Sequence, residues 1–181
     1  MKTAFLALKM ALFLYLGYLL VFLITGYQPQ TPGYSPPFLI FVIDTINLFI
    51  HEAGHFFFKV FGMFIYVLGG SIFQVLLPLS LLLVTWRQNV AQVVYPGFWV
   101  GENMVNVSVY IKDAPFKHLK LIARGLIHDW NWLLSGDPDV AEPLGDAVFV
   151  LGIIICIASL SVGVYFAIRD FFIPAGSKVP E

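Results

Sequence analysis

Charge is scarce in this sequence. Only 12% of its 181 residues are Asp, Glu, Lys or Arg, about half the share of a soluble domain. Apolar residues fill the gap, at 59% of the chain with a mean hydropathy of +0.85, so a water-soluble fold is the wrong starting point. Neither sign of charge predominates: ten basic residues face eleven acidic ones, for a net charge of −1. That balance excludes the basic surface on which nucleic-acid binding depends. Cysteine is nearly missing as well. Cys156 stands alone inside the apolar stretch Gly152–Ile157, which rules out an internal disulfide and a cysteine-based zinc knuckle and leaves a buried, inert thiol.

What is present is a series of long apolar runs. A membrane-crossing helix needs roughly 20 apolar residues, so about five spans and their connections use up the whole chain as one integral membrane domain, residues 1–181. The first run, Thr3 to Thr25, is too long for a signal-peptide core and lacks a small-residue exit before Gly26, so it reads as an uncleaved span. Gly26–Pro37 is uncharged and rich in Pro and Gly, a loop on the far side of the membrane. A second span runs from Phe38 to about Phe61. Gly62 and Gly69-Gly70 interrupt the pattern before a third, Ser71–Trp86; a fourth covers Val90–Ile111 and a fifth residues 147–168. Residues 112–146 form the one substantial loop, amphipathic over Leu119–Leu134 and suited to the interface. The expected fold is all-α, a polytopic helical membrane protein.

Lysine and arginine collect on the cytoplasmic side of membrane proteins. With five alternating crossings and a cytoplasmic amino terminus, that side receives Lys2, Lys9, Lys59, Lys112, Lys117, Lys120 and Arg124, and the other only Arg87, Arg169 and Lys178. The cytoplasmic amino terminus is therefore the expected orientation.

The second span contains His51-Glu52-Ala53-Gly54-His55. Histidines at i and i+4 stand one helical turn apart on one face, so two imidazoles can meet one metal ion. The intervening Glu52 lies beside that ion, where a general base can take a proton from water. Gly54 leaves room that can admit a substrate backbone. Ionisable groups at bilayer depth cost about 2.5–3.5 kcal/mol each, so three within five residues call for a compensating partner. Asp44, Asn47, His51, His55 and Lys59 share one stripe of the helix, with Asp44 and Asn47 better placed to support a site or line a wet face than to bind metal.

A catalytic zinc usually takes three protein ligands, and two candidates complete the set. The fourth span carries its own polar stripe, Gln92, Trp99, Glu102, Asn103, Asn106, Tyr110 and Asp113, expected to face the second span, with Asp113 at the depth of the histidines. His128, followed by Asp129 as an orienting neighbour and Trp130 as an interfacial anchor, is the other. Glu102, in mid-span, needs Lys59 or a proton as its partner. Gln74 suits either a substrate backbone or an interhelical hydrogen bond.

With His-Glu-x-x-His in one span, a returning span and a third ending in an acidic residue, residues 38–114 resemble the three-span core of the site-2 protease family of intramembrane zinc metallopeptidases. The resemblance implies His51 and His55 as zinc ligands and Glu52 as the catalytic glutamate. The family's Asp-Gly motif is replaced here by Asn106–Ala114, which leaves the third ligand open between Asp113 and His128. The Gly-Gly-Ser, Tyr-x-x-Asp-Ala and His-Asp-Trp segments are also similar to a small branch of bacterial peptidase-like membrane proteins, which implies the bacterial inner membrane as location. The function expected is a Zn2+ endopeptidase that hydrolyses peptide bonds in or near the transmembrane segments of membrane-protein substrates. Two other classes stand beside it: a catalytically silent metal-binding membrane scaffold, and an ion or solute transporter that uses the same polar residues as a pathway.

Overall fold

The computed structural model describes residues 2–121 and 126–173; Arg124 and Lys178 of the charge count, and part of the expected interfacial stretch Leu119–Leu134, lie outside the described residues. Among those described there is no strand. The helices are α1 (Lys2–Thr25), α2 (Phe38–Phe58), α3 (Met63–Gln88), α4 (Val94–Lys112), a short α5 (Asp129–Leu133) and α6 (Ala141–Phe172). Four helical segments are long and apolar enough to cross a membrane, Lys2–Thr25, Phe38–Phe61, Met63–Gln88 and Pro138–Phe172.

Local chemistry sets the boundaries. Pro36-Pro37 delivers the chain into α2, whose end tightens into a 3-10 turn, Lys59–Phe61. Gly62 then takes φ 89°, a left-handed value that costs glycine nothing, and the chain reverses into α3. Asn89 stops α3 and accepts a hydrogen bond from the Ala91 amide at 3.0 Å. Pro96 sits in the first turn of α4, where its missing N–H costs no intrahelical bond.

The bundle is apolar outside and polar within. Phe38, Phe56 and Leu14 are more than 70% exposed, whereas Asn47, Gln74, Glu102 and Asn103 are 3% exposed or less. Lipid offers no hydrophobic drive for helices to associate, so close backbone approach through small residues has to hold them. α4 and α6 meet on such a seam: a Cβ on Gly101 would strike Cys156 Sγ and the Gly152 carbonyl, and one on Gly163 would lie 2.9 Å from Val94 Cβ. α2 and α3 meet on another, since a Cβ on Gly54 would strike the Gly69 carbonyl and lie 2.9 Å from Gly70 Cα. Two expectations change here. Gly69-Gly70 does not break the third span, because α3 runs straight through it. Gly54 does not open space for a substrate, because α3 fills it.

Helix directions change a third. Gly97 lies against Ser159 and Gly145 against Lys112, so α4 and α6 are antiparallel; Gly97 also neighbours Leu82 and Asn106 bonds Gln74, so α3 and α4 are antiparallel too. Phe13 reaches Gly163 beside Val94, while Leu23 and Tyr27 line one cavity with Val109, Lys112 and Asp113. α1 and α4 therefore run in the same direction. Five alternating crossings would oppose them. The segments before and after α2 lie at the same end of the bundle, so Gly26–Pro37 shares that end with the loop after α4. Lys59, Lys112, Lys117 and Lys120 fall there, and Lys2, Lys9, Arg87 and Arg169 at the other. Among the described residues the count is four against four, so the cytoplasmic amino terminus remains an expectation.

After α4 the chain folds back into the bundle. Trp130 of α5 packs with Val107, Ile111, Ala114 and Ala141, and its Nε1 donates to Ser71 Oγ at 3.0 Å. It is 9% exposed, a core residue rather than an interfacial anchor.

Candidate metal centre

The four-residue spacing of His51 and His55 places their rings on one face of α2, with centroids 4.9 Å apart. Both Nε2 atoms point at one carboxylate oxygen, Asp129 Oδ2, which lies 2.8 Å from His51 and 3.2 Å from His55. A ligand atom from each of the three residues lies within 4.8 Å of the others. Asp129 opens α5, and the hydroxyl of Tyr110 accepts a hydrogen bond from its amide at 3.1 Å. Burial alone would raise the Asp129 carboxyl, but the hydrogen bonds and charge that the two histidines supply when protonated hold it below the usual carboxylate range, so it is an anion at neutral pH.

Behind the rings, each Nδ1 has an acceptor of its own. His55 Nδ1 lies 2.8 Å from the Tyr66 carbonyl, and His51 Nδ1 3.1 Å from Gln74 Oε1. A backbone carbonyl can only accept, so His55 carries a proton on Nδ1 and leaves Nε2 to face Asp129. Metal-binding histidines are held in this way, with the far nitrogen donating to a carbonyl or carboxyl. Protons alone would satisfy all four contacts only if both rings were doubly protonated against one carboxylate. A divalent cation uses the two lone pairs directly.

Space supports the same reading. A Cβ on Gly70 would lie 2.5 Å from His51 Nε2 and 2.7 Å from His55 Nε2, so α3 presents bare backbone where the two ligand atoms converge. Two neutral imidazoles and a carboxylate are a donor set that suits zinc.

The cluster forms part of the wall of a cavity of about 480 Å³. Glu52, half-buried, is on that wall and, among the described residues, has no hydrogen-bond or ion-pair partner. Leu48, Leu121 and Ile127 supply apolar lining, and Lys120 a cation.

The two expected third ligands are elsewhere. Asp113 Oδ1 accepts from the His118 amide and Oδ2 from the Leu119 amide, each at 2.9 Å, and Oδ2 also lies 3.2 Å from His128 Nε2. His128 caps α5: its Nδ1 accepts from the Asn131 amide at 3.3 Å, so its proton is on Nε2 and is donated to Asp113. With both carboxyl oxygens and both ring nitrogens engaged, neither residue has a lone pair directed at the α2 histidines. The acid of the cluster is instead Asp129, the residue assigned only to orient His128. The signal in the sequence was helix capping: a residue whose side chain turns back onto its own helix is committed, whereas its successor is free.

The stripe on α4 meets α2 through side chains. Trp99 Nε1 donates to Asn47 Oδ1 at 2.9 Å, Asn47 Nδ2 to Glu102 Oε2 at 2.8 Å, and Asn106 Nδ2 to Asp44 Oδ1 at 3.0 Å. Lys59, the partner expected for Glu102, is exposed at the end of α2. Comparison with protein-family models, curated proteins and solved structures gives no match to this chain.

Proposed function

We propose that this chain is a membrane-embedded zinc metallopeptidase that hydrolyses peptide bonds in or near the transmembrane segments of other membrane proteins. The observation that carries the reading is the convergence of His51, His55 and Asp129 on one point beside Glu52, which has no partner among the described residues, in a cavity large enough for a short stretch of extended peptide. A zinc ion held by those three residues would supply Lewis acidity to a carbonyl and lower the pKa of a water. Glu52 takes a proton from the attacking water and returns it to the departing amine. The Nδ1 contacts to Tyr66 and Gln74 keep the rings aimed. Leu48, Leu121 and Ile127 favour an apolar substrate.

Glu52→Gln tests the reading, because it removes the base and leaves the ligands in place. The variant should bind zinc as the parent does and lose about 10²–10⁴-fold in cleavage of a transmembrane reporter peptide. Cleavage at the parental rate would sink the mechanism. The scaffold class predicts no zinc-dependent cleavage by the parent itself, and the transporter class predicts flux in liposomes instead.

A further inference from the structure

His51 and His55 are aimed by different means, and the difference singles out a residue outside the cluster. His55 Nδ1 faces a backbone carbonyl, whose polarity cannot change. His51 Nδ1 faces a side-chain amide, Gln74, which can present either oxygen or nitrogen. Its orientation has to be set by something further along.

The setting can be followed bond by bond. Asp44 Oδ1 accepts from Tyr27 Oη at 2.7 Å and from Asn106 Nδ2 at 3.0 Å, and Asn106 Nδ2 also donates to Tyr27 Oη at 2.7 Å. Burial and the neighbouring Asp44 raise the Tyr27 phenol well above its ordinary value, so it remains a donor. Asp44 Oδ1 takes both donors, so Asn106 turns its nitrogen toward Asp44 and its oxygen toward Gln74. Gln74 Nε2 donates to that oxygen at 2.9 Å. The remaining atom, Gln74 Oε1, then faces His51 at 3.1 Å and obliges Nδ1 to carry the proton. The Nε2 lone pair is left for a metal. Every link in this chain has one permitted direction, and Asp44 is its fixed end.

We infer that Asp44 is a positioning residue for the metal centre, acting through Asn106 and Gln74 to hold His51 in the tautomer that ligates through Nε2. The inference rests on the metal-site reading and adds to it a residue that touches neither metal nor substrate. Asp44→Asn keeps the shape of the side chain and removes the constraint: an amide at position 44 can donate to Asn106, which lets both downstream amides turn over and present Gln74 nitrogen to His51. The ring then protonates on Nε2 and loses its ligand atom.

The test is zinc affinity measured by competition with a chromophoric chelator, paired with ¹⁵N spectra of zinc-loaded protein labelled at histidine. Asp44→Asn should weaken zinc about tenfold, the lower end of the effect of orienting partners on metal affinity, and should reduce the Nδ1-protonated, Nε2-bound signal of His51 but not that of His55. Asn106→Leu severs the same chain, so the double variant should be no weaker than Asn106→Leu alone. Tyr27→Phe deletes the hydroxyl's bonds to Asp44 and Asn106 but leaves the direct Asn106–Asp44 bond that sets the direction, and should leave zinc affinity within about twofold, well short of an orienting partner's effect. Losses that multiply to about a hundredfold in the double variant, or equal changes at both histidines, would show general damage and overturn the inference. A parent that binds zinc with Asp44→Asn indistinguishable from it overturns the inference alone. A parent that takes up no zinc overturns the metal-site reading along with it.

Discussion

Two of the buried histidine–aspartate contacts are built from residues adjacent in sequence, His128 and Asp129. His128 pairs with Asp113 at 3.2 Å, and Asp129 pairs with His51 and His55 at 2.8 and 3.2 Å. All five residues are buried or nearly so, and distance alone does not separate the two contacts. Their free valences do. In the first, each ring nitrogen and each carboxyl oxygen has its own partner, so the pair closes the base of the loop between α4 and α5 and has no capacity left. In the second, two ring nitrogens and a carboxylate meet at a shared point beside bare backbone at Gly70 and a cavity. The first contact delivers Asp129; the second uses it. A carboxylate–histidine pair should therefore be judged by what its other atoms are doing.

The largest expected effect that bears on this contrast is loss of the metal itself. Asp129→Ala, and His51→Ala or His55→Ala, should each abolish stoichiometric zinc in purified protein as measured by elemental analysis, because three protein ligands are the usual minimum for such a site. Full occupancy in Asp129→Ala would erase the distinction between the contacts. Gly70→Ala comes next: its methyl would enter the space between the two Nε2 atoms, and zinc affinity should fall at least tenfold, the scale on which misdirected ligands act. Unchanged affinity would show that the ligand atoms can retreat from α3.

Asp113→Asn and His128→Gln act one step back, on the delivery of Asp129. Each leaves a buried group short of a partner, at a cost of about 1–3 kcal/mol. They should lower thermal stability in detergent while leaving one zinc bound at saturation. Loss of that zinc with unchanged stability would make Asp113 or His128 a ligand after all. The smallest expected effect concerns pH. Ligating imidazoles must be deprotonated, so zinc affinity should weaken as pH falls. Retention of zinc at pH 5 would point to a ligand set without histidine.

Much of this protein can be read without its structure, and the boundary has a physical cause. Apolar run length and the scarcity of charge imply long helices in a membrane, because these are properties of contiguous residues in a given solvent. The four-residue spacing of His51 and His55 is equally local: one helical turn brings them together wherever α2 lies. The polar face of α4 follows from the same periodicity. Helix direction was not legible, since the alternation assumed from hydropathy takes each run as a crossing, while α2 sets out from and returns to one end of the bundle. The roles of Gly54, Gly69 and Gly70 depended on which helix lies opposite. The third ligand depended on a capping interaction that turned His128 inward to its own helix and left Asp129 to cross 78 positions of sequence to His51. The sequence by itself determined the solvent, the helices and one face of the site. Only tertiary structure decided what completes that face, because a lone pair's availability depends on every partner around it, and those partners come from the loop before α2 and from α2, α3, α4 and α5 together.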